Sequence, residues 1–177
     1  MPAAQPVAVL GMGNVLMGDD GAGPYTIAEL AARYRFPDTV TVMDIGTPGL
    51  DLAPYLIGVD TLILVDTVRA DAPAGSIRTY HKHDLLKHPL PPRLSPHDPA
   101  LGHCLTTLEM AGCAPRETVL VGIVPGKTEL GPGLSAPVRS AVPLAVARVV
   151  DELAALHIQL EPRTPVASPD IWWETPV

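Results

Sequence analysis

The sequence has few aromatic residues, few basic residues and only two cysteines. Aromatic side chains make up 4% of the 177 residues, and 12 Lys and Arg stand against 19 Asp and Glu, for a net charge of -7. Because an acidic chain repels phosphate backbones, we do not expect nucleic acid as a partner. Cys104 and Cys113 form neither a disulfide framework nor a Cys-x-x-Cys pair, and they are predicted to be buried structural thiols. This usage favours a reducing, cytoplasmic compartment.

Targeting signals and two common hydrolase motifs are also missing. The stretch before Asp19 carries no charge, but it contains Pro2 and Pro6 and begins without basic residues. We therefore expect neither a signal peptide nor a membrane span. The chain has no Gly-x-Ser-x-Gly segment and no His-Glu-x-x-His segment. The serine-hydrolase elbow and the zinc-protease helix are thereby excluded.

The chain does contain short apolar runs that alternate with longer helical patterns. Hydrophobic residues make up 47% and the mean hydropathy is +0.24, which is enough apolar material for one compact domain. The alternation predicts a three-layer αβα sandwich with a mostly parallel, five-stranded twisted sheet and an antiparallel edge strand. We expect one domain over residues 1–160 and a tail with Pro and Trp over 161–177. Strands are predicted at 7–11, 40–44, 62–66, 76–83 and 118–124, and helices at about 23–34, 49–57, 99–111 and 135–157.

Acidic residues follow the ends of the first three predicted strands. Asp20 lies in the loop after the first strand, and Asp44 and Asp66 end the second and third. In open parallel sheets, ligands bind beyond the carboxyl ends of the strands, where the strand order reverses. A strand order of 2-1-3 would bring Asp20 and Asp66 to the two sides of this point. One site at this edge of the sheet is therefore predicted.

A dinucleotide site is one interpretation of these loops. Gly11-x-Gly13 follows a strand, and Asp44 ends the next one, as in nucleotide-binding folds. The third glycine is replaced by Leu16, and the loop continues to Asp19 and Asp20, whose charges oppose a pyrophosphate. A small-molecule or nucleotide-binding module therefore stays open only as an alternative.

A metal site is the second interpretation. Asp20, Asp66 and His97 come from three loops that lie 46 and 31 residues apart in the sequence. Two carboxylates and an imidazole can bind a divalent ion and leave positions open for a substrate ligand. Helix capping and loop hydrogen bonds would also account for each residue, and spacing alone favours that simpler explanation.

Four segments, in order, resemble the hydrogenase maturation proteases. This family removes a C-terminal peptide from the nickel-loaded precursor of the [NiFe]-hydrogenase large subunit. The resemblance extends over about residues 7–157. The segments are Gly11-Met-Gly-Asn-Val-Leu-Met-Gly-Asp-Asp-Gly-Ala-Gly-Pro24, Asp44-Ile-Gly-Thr-Pro-Gly49, Leu62-Ile-Leu-Val-Asp66 and Ser95-Pro-His97.

The resemblance implies a role for several side chains. Asp20, Asp66 and His97 match the family's metal ligands, which implies that they bind nickel brought by the substrate; zinc or cadmium could take its place in vitro. Asp44 matches a segment associated with substrate recognition and cleavage, and we assign it the catalytic carboxylate. Gly46 and Thr47 would contact the substrate. The Gly-Gly-Thr of many members is Ile45-Gly46-Thr47 here, so a flexible first glycine is lost.

The predicted function is therefore that of a cytoplasmic endopeptidase, of aspartic or metal-assisted type, that uses nickel as a recognition mark. Its expected partner is the large-subunit precursor, without a membrane or nucleic acid, and a monomer is favoured. One alternative is a non-catalytic chaperone with the same ligands, which would bind the metallated precursor and leave it uncut.

Overall fold

The computed structural model describes residues 5–87 and 98–174 of the chain. The order of the strands and helices confirms the alternating α/β pattern. Three short 3-10 turns, Gly18–Gly21, Gly49–Leu52 and Trp172–Glu174, complete the elements. The strands and helices are β1 (Val7–Gly11), α1 (Ala22–Arg33), β2 (Tyr34–Arg35), β3 (Val40–Asp44), α2 (Ala53–Leu56), β4 (Thr61–Thr67), β5 (Ile77–His81), α3 (Lys82–Leu85), α4 (Asp98–Met110), β6 (Glu117–Ile123), α5 (Ala136–Ala155) and β7 (Glu161–Pro162).

The main sheet has five strands in the order β3-β1-β4-β6-β5. All neighbours are parallel except β5, which pairs antiparallel with β6 at the edge. The predicted sheet, its antiparallel edge strand and the 2-1-3 order of its first three strands are confirmed. One difference is the helix expected over 49–57, which divides into a 3-10 turn and α2. Pro54 accounts for the break, because it cannot donate the backbone hydrogen bond that a continuous helix needs at this place.

Two apolar layers cover the sheet. On one face, Val9, Ile63 and Val65 pack with residues of α1 and α5. On the other face, Leu62 and Leu64 pack with residues of α4 and of the turn before α2. All seven residues of β4 are buried, as expected for a central parallel strand. In the described part of the chain, no helix has the length and apolarity of a membrane span.

The tail packs back on this domain. Its short strand β7 pairs antiparallel with β2. Trp173 is 8% exposed and makes an edge-to-face contact with Tyr25 at 5.2 Å between ring centroids. Glu174 accepts hydrogen bonds from the Tyr25 hydroxyl and from Arg139. Burial and the Glu174 carboxylate raise the pKa of Tyr25 to about 12, so the phenol stays protonated as the donor. Trp172, by contrast, is 66% exposed.

Replacing Trp173 by Ala is expected to lower the free energy of unfolding by about 3 kcal/mol, because the change leaves a cavity in the layer between the tail and α1. The neighbouring Trp172→Ala is the matched control, with an expected effect within about 0.5 kcal/mol since that ring is exposed. Urea denaturation of the two variants gives both values. Equal losses would show that the tail does not contribute to the core.

Candidate active site

A tight glycine contact brings the first loop onto the sheet. A Cβ atom on Gly23 would lie 2.1 Å from the Met12 carbonyl oxygen, and one on Gly13 would lie 1.9 Å from the Asp20 carbonyl oxygen. No side chain fits either gap, so these positions require glycine. The start of α1 is therefore pressed against the end of β1. This contact holds the backbone of Asp20 at the carboxyl edge of the sheet.

Asp20 and Asp66 meet at Thr67. The Thr67 amide donates to Asp66 Oδ1 at 2.7 Å, and its hydroxyl donates to Asp20 Oδ1 at 3.3 Å. The backbone amide of Asn14 also donates to Asp20 Oδ2 at 2.9 Å. The two carboxylates are 6% and 1% exposed, respectively. The structure therefore brings together two of the three predicted metal ligands, and Thr67 is a contact that the sequence did not predict.

These two carboxylates are suited to a metal ion. Carboxylate oxygens are common ligands of divalent cations in proteins. Hard oxygen ligands at a partly open site bind borderline divalent ions without the affinity of a complete cage. His97, the third predicted ligand, lies outside the described residues. Among residues 5–87 and 98–174, no group of three or more His, Cys, Asp or Glu side chains is placed to hold a metal ion.

A cleft of about 270 Å³ opens beside Asp20. Its other lining residues are Met17, Arg69, Pro125 and Thr128. Arg69 is exposed, and within the described ranges its guanidinium has no ion pair. The sequence analysis missed Arg69; the available signal was its position three residues beyond Asp66, in the same strand-end loop. Asp20 therefore connects the buried site at Thr67 with this cleft.

Asp44 also lies at the carboxyl ends of the parallel strands. It ends β3, which β1 separates from β4, the strand of Asp66. It pairs in register with Gly11, which pairs in turn with Val65, so Asp44 and Val65 are about 10 Å apart across β1. The Gly46 amide donates to Asp44 Oδ1 at 2.9 Å, and the Gly46 carbonyl accepts from the Gly13 amide at 2.9 Å. The predicted Asp44-Ile45-Gly46 segment thus contacts the loop that carries Asp20.

The electrostatics of Asp44 suit a proton acceptor. Asp44 is an exposed residue, but partial loss of hydration still raises the pKa of its carboxyl above the ordinary value, while the hydrogen bond from Gly46 acts in the opposite direction. A carboxylate with a raised pKa is a better general base than an ordinary one. Thr47 is exposed beside it, and Gly46 adopts a left-handed φ of 57° with open space around it.

The two cysteines differ in their surroundings. Cys104 is buried on α4, as predicted, and burial raises the pKa of its thiol and disfavours the reactive thiolate. The prediction for Cys113 was wrong, because this residue lies beyond the end of α4 and is exposed. The helix stops at Met110, before the apolar face could include Cys113.

Asp19 is an anchor for a distant loop. One of its oxygens accepts from the amides of Gly126 and Lys127, both at 2.8 Å, and from the Ser135 hydroxyl at 2.8 Å. The other accepts from the Ser135 amide at 2.6 Å. Burial acts to raise the pKa of Asp19, but these hydrogen bonds outweigh it and lower the pKa below its ordinary value. Asp19 is therefore a hydrogen-bond acceptor that holds this loop in place.

Replacing Asp19 by Ala is expected to cost about 3 kcal/mol of unfolding free energy, because several donors lose their acceptor at once. Since the folded-state pKa of Asp19 lies below its unfolded value, its contribution is present above about pH 4 and lost as pH falls through the folded pKa. Urea titrations at pH 7 and at pH 3 check this. A loss that is as large at pH 3 as at pH 7 would contradict the assignment.

Comparisons with known proteins identify relatives of the chain. Residues 24–152 match the family model described as hydrogenase maturation protease. The chain is 33% identical to hydrogenase expression/formation protein HupM of Azotobacter chroococcum mcd 1 over 89% of this chain and 76% of that protein. It is 29% identical to hydrogenase 2 maturation protease of Escherichia coli strain K12, over 89% of this chain and 96% of that one.

A solved structure agrees with these matches. The hydrogenase maturating endopeptidase HybD from E. coli superimposes with a TM-score of 0.84 at 29% sequence identity, over 91% of this chain and 99% of that chain. The family match includes Asp44, Asp66 and His97. The match begins at residue 24 and so does not include Asp20. In the structure, the glycine contacts of the first loop hold Asp20 in its place.

Proposed function

Since the chain belongs to the hydrogenase maturation protease family, we propose that it removes the C-terminal peptide from the nickel-loaded precursor of a [NiFe]-hydrogenase large subunit. It is an endopeptidase with the fold of its structural relatives. The observation that carries the proposal is that buried Asp20 and Asp66 are both hydrogen-bonded to Thr67, while Asp20 also lines the cleft.

Nickel enters as part of the substrate. Asp20 and Asp66, with His97 as the resemblance implies, would share the ion with ligands that the precursor already supplies. A site made of a few oxygen and nitrogen ligands does not compete for nickel alone, and it gains affinity when the precursor completes the coordination. Zinc or cadmium could occupy the same ligands in vitro. The shared ion would restrict processing to precursors that already contain metal.

Hydrolysis would use Asp44. Its carboxylate would take a proton from a water molecule as that water attacks the scissile carbonyl. The Asp44 carboxyl would then give this proton to the leaving amine as the peptide C–N bond breaks. Gly46 and Thr47, in the adjoining turn, would hold the peptide backbone. The nickel ligands position the precursor relative to this group, which turns a slow bimolecular encounter into an oriented one.

The cysteines indicate the cellular compartment in which the protein would act. Cys104 and Cys113 are unpaired, which suits a reducing compartment. We propose that the protein acts in the cytoplasm, as a monomer.

Intact-mass spectrometry of the precursor tests the proposal. The precursor is prepared with and without nickel and incubated with the protein. We expect a C-terminal peptide to be lost from the nickel-loaded form alone. A stable complex in which the precursor keeps its mass would favour the non-catalytic chaperone instead, and the absence of any complex would contradict both functions.

A further inference from the structure

β3, the edge strand that ends at Asp44, has backbone groups that face away from the sheet. β3 pairs with β1 on one side and is the last strand of the sheet on the other. The Thr39 carbonyl accepts from the Val7 amide, and the Ile45 amide donates to the Gly11 carbonyl, both at 2.9 Å. Backbone groups of successive residues in a strand point to opposite sides. The odd-numbered residues of β3 therefore bond to β1, and the even-numbered ones face outward.

Among these outward residues, Val42 and Asp44 have both backbone groups directed away from β1. The Val40 amide is already used, because it donates to the Pro37 carbonyl at 2.9 Å. Val42 and Asp44 thus offer two amides and two carbonyls along about 7 Å of strand. The backbone amide and carbonyl of Asp44 thus lie beside its own carboxyl, the candidate general base.

Within the described residues, β3 itself carries neither of the residue types that usually protect an edge strand. Proteins block such edges with lysine, proline or a covering element. The sequence of β3 is Val-Thr-Val-Met-Asp, without a basic residue or proline, and its Met43 side chain is 43% exposed. The opposite edge, β5, carries Arg78 and leads into α3. The two edges differ, and the unprotected one ends at the candidate catalytic carboxylate.

We propose that the C-terminal segment of the precursor binds in extended form as an added strand along β3. This inference rests on the proposed function and specifies how the peptide is held. Backbone pairing with Val42 and Asp44 would bind an extended chain largely without regard to its side chains. It would also bring a peptide bond beside the Asp44 carboxylate. The exposed Asp38 and the terminal Asp44 lie at the two ends of the edge, which favours a neutral or basic segment.

Proline substitution tests the pairing. Val42→Pro removes an outward amide while the bonds of Thr41 and Met43 to β1 remain, so the fold should persist. We expect kcat/KM for the nickel-loaded precursor to fall about tenfold, through a rise in KM, as one bond is lost and the ring obstructs the edge. Thr79→Pro, at an outward position of β5, is the matched control on the opposite edge. Thermal denaturation of both variants checks folding.

Hydrogen–deuterium exchange on the complex provides a second measurement that needs no edge variant. In the Asp44→Asn protein bound to the nickel-loaded precursor, the Val42 amide should exchange at least about tenfold more slowly than in the free protein, while the Thr79 amide should not change. If Val42→Pro cuts with an unchanged KM, or if the Val42 amide gains no protection, the added-strand proposal is wrong. If the natural chain does not cut the precursor, the proposed function fails. The exchange data alone then show whether a peptide pairs with β3.

Discussion

Replacing Asp20 by Asn is expected to reduce nickel-dependent processing by at least about 10³-fold, because a metal-bound carboxylate contributes several kcal/mol to the reaction. Asparagine keeps the volume and one oxygen but removes the negative charge that a cation needs. Asp66→Asn should have the same effect, since Thr67 joins the two carboxylates in one site. Intact mass of the precursor over time gives the rate for each variant.

The neighbouring Asp19→Asn is the matched control for this loss. Asp19 carries the same charge one residue away, but its oxygens bind the loop at Gly126 and the start of α5. Its change should lower stability and leave the nickel dependence of cleavage intact at a temperature where the protein is folded. If Asp20→Asn still cuts the nickel-loaded precursor at the natural rate, shared nickel ligation is wrong.

Much of the fold could be predicted from local patterns. β1 and β3 begin and end where the sequence predicted them, and β4 extends one residue beyond the prediction at each end. Continuous apolar runs define buried parallel strands because both faces of each strand are covered. The pairing of β2 with β7 was not predicted. Each strand has two residues, too few for any periodicity to show.

The site could be predicted only in part, for a related reason. The strand ends place Asp20, Asp44 and Asp66 on one edge, and the topology follows from the order of apolar runs. The link through Thr67 joins residues 47 positions apart, and Asp19 binds Ser135, 116 positions away. Such contacts depend on how loops close in three dimensions. Spacing in the sequence does not show that Asp19 binds a loop so far along the chain.

Replacing Asp44 by Asn is expected to slow cleavage by about 10²- to 10⁴-fold, the contribution typical of a general base. Binding of the precursor should change little, because the nickel ligands and the backbone of β3 remain. A base acts in its deprotonated form, so the rate should fall as pH decreases through the pKa of Asp44. Since partial loss of hydration raises that pKa, the fall should occur above the ordinary value of 3.8.

The pH dependence of kcat in single turnovers distinguishes this role from a purely structural one. The nickel ligands also bind protons at low pH, so the natural chain is compared with Asp44→Asn under saturating precursor. The component that belongs to Asp44 should disappear in the variant, and the remaining slow rate should follow only the loss of nickel binding. If the variant is slow but keeps the same acidic limb, Asp44 positions the turn at Gly46 through its hydrogen bond, and the proton must go to a different acceptor.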